Sequence, residues 1–175
     1  MEIKNNFTIK GKYRIKTFKA QRWWERLLGW IGFKIERKLL RQTEWIPNLI
    51  VMNATTGGHG LYLVLDRLLG ITTYGLEITQ AKIGTSDQAP TINDTDLIVP
   101  VVSGIAVAQR QRIADDEIMI TFFINDSELP NGDYKEFGIF CEAQLFARSL
   151  ISPTYSKSSG EDSQIDYSLS AEPTA

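Results

Sequence analysis

Between Phe7 and Phe18 apolar side chains recur at Phe7, Ile9, Tyr13 and Ile15, with lysines and an arginine between them and a break at Gly11-Lys12. A period of two belongs to a strand with one buried face, so this stretch predicts two short strands or one bent strand. The stretches from Ile35 to Leu40 and from Thr43 to Met52 look similar, and Pro47 restricts the second to an edge or a strand start. Further strands are predicted from Glu77 to Ile83, Leu97 to Val102, Ile105 to Gln111 and Glu117 to Asn125. Three more run from Glu136 to Glu142, Gln144 to Leu150 and Gln164 to Ser170.

One helix is expected over about residues 60–70, because Leu61, Leu65 and Leu68 recur at helical spacing and Gly70 stands where a stop belongs. Gly57-Gly58-His59-Gly60 forms its entry. Turn chemistry separates the strands at Ser86-Asp87-Gln88-Ala89-Pro90 and Leu129-Pro130-Asn131-Gly132-Asp133. Short strands punctuated in this way suggest a sandwich or a barrel-like fold rather than a parallel α/β sheet. The expectation carried forward is a mainly β chain, an antiparallel β-sandwich with that one short helix.

The segment 21–34, QRWWERLLGWIGFK, breaks the pattern with three of the four tryptophans. Trp23, Leu27, Trp30, Ile31 and Lys34 share one helical face, with Trp24 beside them. Such an element covers its own sheet or the next copy, docks in a partner's groove, or lies in a membrane interface. Gly29 and Gly32 each weaken a free helix by about 1 kcal/mol, so something has to hold it in place. The chain therefore divides into basic strands over 1–20, a Trp-rich apolar insertion over 21–34, a sandwich core over 35–170 and a loose terminus over 171–175.

Composition changes this picture little: 175 residues, 43% hydrophobic and 23% charged, describe one folding domain able to bury a core. A single cysteine, Cys141, excludes an internal disulfide and a multi-cysteine zinc site, and fits a reducing compartment. The start of the chain has no secretory leader pattern, and no apolar run is long enough to span a bilayer. Charge is more telling. Residues 1–45 hold 12 Lys/Arg against 4 Asp/Glu, net +8, and residues 46–175 hold 7 against 17, net −10. Such asymmetry serves nucleic-acid or membrane contact, or head-to-tail association of copies. The basic residues Lys10, Lys12, Arg14 and Lys16 fall on alternate positions, as outward residues of strands do, and nucleic acid and membrane are not the expected partners.

Catalytic chemistry finds little footing. His59 is the only histidine, so a nucleophilic site has to pair it with Cys141 or a serine, and Cys141 lies in an apolar strand pattern typical of a buried thiol. The glycine run around His59 lacks the lysine and hydroxyl of a phosphate loop. Asn93-Asp94-Thr95-Asp96 and Asp115-Asp116-Glu117 offer oxygens to calcium without EF-hand spacing, and such residues commonly shape turns instead. No cofactor, metal or small-molecule substrate is expected.

An ordered series of short motifs remains: Ala81-Lys82-Ile83-Gly84-Thr85, Ala89-Pro90, Asn93-Asp94-Thr95-Asp96-Leu97, Lys135-Glu136-Phe137-Gly138-Ile139-Phe140, Leu145-Phe146-Ala147-Arg148, then Lys157. Over about residues 43–170 this resembles a domain of tail-fibre, baseplate and neck-associated proteins of tailed phages. Its pattern is roughly I/V-G-T-G-x-x-A-P-x-x-x-D-T-x-L, E-x-G-L-F and L-F-A-R followed by a lysine. Ser86 stands where that family often has glycine, Ile139 where it often has leucine, and the tryptophan segment is an addition. The resemblance implies a non-enzymatic virion structural protein, made in a host cytoplasm, that oligomerises and docks to other virion proteins. Trp23, Trp24, Leu27, Trp30 and Ile31 are then the expected partner-binding residues. A receptor- or glycan-binding module, with Tyr74, Tyr134 or Tyr155 stacking on sugars, and a capsid decoration protein are the alternatives.

Overall fold

Strand β1 (Phe7–Lys19) runs unbroken through Gly11-Lys12, and its partner is the far end of the chain, β11 (Glu161–Pro173). The two are antiparallel in register from Phe7 opposite Pro173 to Lys19 opposite Glu161. The computed structural model describes residues 7–21, 25, 30–31, 36–54 and 58–173. Between these terminal strands lie β2 (Leu39–Gln42), β3 (Ile46–Ile50), β6 (Ile78–Gly84), β7 (Pro100–Ala114), β8 (Glu117–Ile124), β9 (Gly132–Cys141) and β10 (Gln144–Lys157). A small ribbon of β4 (Met52–Asn53) and β5 (His59–Gly60) precedes the helix α1 (Leu61–Leu68).

The strands follow one another as β11-β8-β7-β6-β9-β10-β3-β1, and the β1–β11 pairing joins the last to the first. Every pairing is antiparallel. This is a closed eight-stranded barrel, with β2 flanking β1 beyond β3. The expected sandwich is corrected by that closure: a sandwich leaves the first and last strands as edges, whereas here they hydrogen-bond to each other. The C-terminal strand also extends past the predicted Ser170 to Pro173, because β1 offers it a partner that far.

Alternation sends Tyr13 and Ile15 of β1, Ile120 and Phe122 of β8, Phe137 and Ile139 of β9, and Ile165 and Tyr167 of β11 into the barrel. The Phe137 ring lies 4.7 Å from Tyr13 and meets Phe122 edge-on at 6.3 Å, so aromatic rings fill the interior. One end is closed by residues 125–131, where Leu129 is buried and the Tyr134 hydroxyl donates to the Pro130 carbonyl at 2.6 Å. At the other end stand the start of β6, the β7–β8 turn and the beginning of β10. Helix α1 stops in a Schellman arrangement: Ile71 N–H donates to Asp66 O at 2.8 Å and Gly70 N–H to Arg67 O at 3.1 Å. Gly70 supplies the positive φ of 80° this needs.

On the outer wall the opposite charges of the two ends of the sequence meet. Arg14 and Lys16 converge on Asp166 at 3.1 and 2.7 Å, Arg37 pairs with Asp162 at 3.1 Å and Arg41 with Glu161 at 2.7 Å. Arg14 also lies 4.6 Å from the Trp45 ring centre. The basic N-terminal stretch is thus matched by acids of β11 within the same chain.

The two strands predicted from Leu97 to Gln111 are one strand, β7, carried through Gly104 at a φ of 72°. Its first half pairs with β6 and its second half with β8. A bulge separates the halves: Val107 opposes Phe122, but Gln109 opposes Thr121, leaving Ala108 unpaired.

Candidate functional site

The polar and glycine residues of the ordered motifs, Lys157 apart, converge on one place, the outer face of β6, β9 and β10, where residues 85–99 cross from β6 to β7. Arg148 on β10 is fully buried there. Its Nε and Nη2 donate to Glu136 Oε2 at 3.1 and 2.9 Å, its Nη1 to Asp94 Oδ2 at 2.7 Å and its Nη2 to the Gln88 carbonyl at 2.8 Å. Glu136, equally buried, accepts from the backbone N–H of Val99 at 2.7 Å and of Ile98 at 3.1 Å. The guanidinium and carboxylate therefore pin both ends of the crossing segment to the barrel wall. Each buried charge has a partner, as burial demands: Arg148 faces the two carboxylates, and Glu136 also accepts from backbone N–H groups.

Asp94 is held from a second side by Thr91, whose N–H and hydroxyl donate to it at 3.0 and 2.7 Å. Burial alone raises its pKa, but these hydrogen bonds and the Arg148 guanidinium outweigh that and keep the carboxyl below the usual range. Asp96 takes the Lys82 ammonium at 2.7 Å, and the same ammonium sits 4.2 Å from the Phe140 ring centre. Beneath lies a separate apolar cluster of Val51, Leu97, Phe140 and Leu145.

Both glycines of the motifs answer to close approach. A Cβ on Gly84 falls 2.3 Å from the Val99 carbonyl oxygen, and one on Gly138 falls 2.5 Å from Leu97 Cδ1. Lys157, the final residue of the series, is buried at the closed end, with Nζ 2.6 Å from Asp126 Oδ1 and 3.1 Å from Asn131 Oδ1. The polar and glycine members of the series fasten loops to the barrel, while Ile83, Phe137, Ile139 and Ala147 fill its core. Asp94 and Asp96, considered above as calcium ligands, have their carboxylates engaged by Arg148 and Lys82.

His59 and Cys141 are not joined by a hydrogen bond. The Cys141 thiol faces the core, donates to the Leu76 carbonyl at 3.4 Å, and burial pushes its pKa up to about 12, far from a reactive thiolate. His59 is buried in the short ribbon, and burial lowers its pKa against the opposing pull of Asp96.

Of the expected partner-binding residues, Trp30 is 84% exposed and Ile31 57%, while Trp23, Trp24 and Leu27 lie outside the described residues. Tyr134 and Tyr155 are buried, and neither offers a ring to a sugar; Tyr74 is half-buried. Apolar exposure not foreseen from the sequence occurs at the end of α1, where Leu68 is 79% and Leu69 76% exposed. Of the leucines of α1, only Leu63 is buried; Leu65 and Leu68, two of the three whose spacing marks the helix, are exposed. Comparison with protein-family models, with curated proteins and with solved structures finds no match to this chain.

Proposed function

We propose that this chain is a non-enzymatic structural component of a tailed-phage virion that works by self-association and by docking to neighbouring virion proteins. The observation that supports this is the single use made of the ordered motifs. Gly84, Asp94, Asp96, Glu136, Gly138 and Arg148 satisfy one another in fastening residues 85–99 to the barrel, so the pattern maintains a rigid shape. A rigid barrel with large apolar side chains left in water at Trp30, Leu68 and Leu69 has surface suited to a neighbour.

The reading is tested by mass spectrometry of density-gradient-purified phage particles from the strain that encodes the chain. Recovery of the chain in a fixed ratio to the other tail or neck proteins is the expected result. Its absence from intact, infectious particles overturns the proposal.

A further inference from the structure

The barrel end opposite residues 125–131 carries an apolar cleft of about 390 Å³ whose floor is Leu76, Ile78, Ile118, Ile120, Phe146 and Leu169. Arg110, Arg112 and a single carboxylate, Glu77, all exposed, also line it and stand at its lip. The cleft exists because β6 pairs with β7 only as far as Gln80 opposite Ala106, and beyond that point the two strands part. Its volume falls within the range of small-molecule sites.

The placement of the two arginines follows from the bulge at Ala108. Arg110 lies opposite Ile120 and Arg112 opposite Ile118, and directly opposed residues share a face of the sheet. Both cations therefore stand on the same side as the isoleucines of the floor. Strict alternation from Ile105 and Val107 would have turned them to the outside and Ile113 inward; instead Ile113 is left exposed. A bulge that exchanges an isoleucine for two arginines at the mouth of an apolar cleft re-aims side chains toward a ligand.

The charges are incompletely matched. Arg110 meets Glu77 at 2.7 Å and the Ile78 carbonyl at 2.9 Å, the former an exposed surface pair. Arg112 donates to the Asp115 carbonyl at 2.8 Å, and among the described residues no carboxylate lies within ion-pair distance of it. Asp115 and Asp116 of the β7–β8 turn line an adjoining hollow that Arg112 also borders, and they do not line the cleft. We infer that the cleft binds a single-chain amphiphile with an anionic head, the head between Arg110 and Arg112 and the alkyl tail on the apolar floor.

Isothermal titration of the full chain with hexanoate, octanoate and decanoate below their micelle concentrations, and with decyltrimethylammonium, tests this. Affinity is expected to rise on the order of fourfold per added methylene. Decanoate should bind about tenfold or more tighter than the cationic amphiphile of equal chain length, as a charge-assisted contact implies. Arg112→Gln should remove that preference and keep the chain-length increment, whereas Ile118→Trp, which fills the floor, should abolish the increment. Circular dichroism checks that Ile118→Trp is folded; if it is not, Arg112→Gln at its exposed position decides. Absence of saturable binding, equal affinity for the two head groups, an affinity independent of chain length, or an unchanged Arg112→Gln variant overturns the inference.

Discussion

Arg148 on β10 and Glu136 on β9 are both shielded from solvent, and the guanidinium Nη2 lies 2.9 Å from the carboxylate. They are diagonal neighbours across the strand pair, since Arg148 opposes Gly138 and Leu150 opposes Glu136. That diagonal leaves room over Gly138 for Leu97, and with it for the segment the two charges hold.

Removing one member of such a pair strands the other. Arg148→Met leaves the Glu136 and Asp94 carboxylates without their cation and is expected to cost about 3–5 kcal/mol in urea unfolding. Limited proteolysis of the same variant should show new cleavage within residues 85–99. A cost below about 1 kcal/mol with unchanged proteolysis would show that the segment is held by its apolar contacts alone.

The two glycines Gly84 and Gly70 are expected to respond differently to alanine. At Gly84 the added methyl meets a backbone oxygen at 2.3 Å, and overpacking there should cost about 1–3 kcal/mol. At Gly70 nothing lies within 4 Å and only the positive φ is penalised, for about 1 kcal/mol. Paired thermal melts of the two variants make the comparison.

Acid should unfold the chain through its depressed carboxyls. Burial alone raises Asp94 and Asp166, but hydrogen bonds and cations from Thr91 and Arg148 and from Lys16, Gln164 and Arg14 hold them below the ordinary value of 3.8. For Asp126 the Lys157 hydrogen bond is the main cause and acts in the same direction. A folded pKa below the unfolded one means that protons bind the unfolded chain more tightly. The stabilisation is therefore present above about pH 4 and lost as pH falls through the lower folded values. Urea midpoints measured from pH 7 downward should stay level to about pH 4 and then drop, and Asp166→Asn should flatten the drop. A midpoint that rises on acidification contradicts the sign.

Most strands were legible because each has one wet and one dry face, and Tyr13, Ile15 and Thr17 against Lys12, Arg14 and Lys16 show it plainly. Closure was not legible. Whether Phe7 meets Pro173 depends on the summed twist of the intervening strands, and alternation within any one strand is the same in a sandwich and in a barrel. The Ala108 bulge hid the arginine placement for the same reason, since the register is set by β8 and not by β7 itself. The motif residues from Gly84 to Arg148 could be marked individually, but their meeting on one outer face requires β6, β9 and β10 to be neighbours, which only the folded chain states.

Trp30, at 84% exposure, should contribute little to folding. Trp30→Ala is expected to shift stability by less than about 0.5 kcal/mol while weakening self-association. An unfolded Trp30→Ala variant would mean that the ring supports the barrel instead.

Light scattering coupled to size exclusion, over a hundredfold range of concentration, bears most directly on the structural role. The chain of 19.8 kDa should elute as a discrete multimer that dissociates on dilution, with the Trp23→Ala, Trp24→Ala and Trp30→Ala variants shifted toward the monomer at an unchanged circular dichroism spectrum. A single 19.8 kDa species for the wild-type chain at every concentration would contradict self-association.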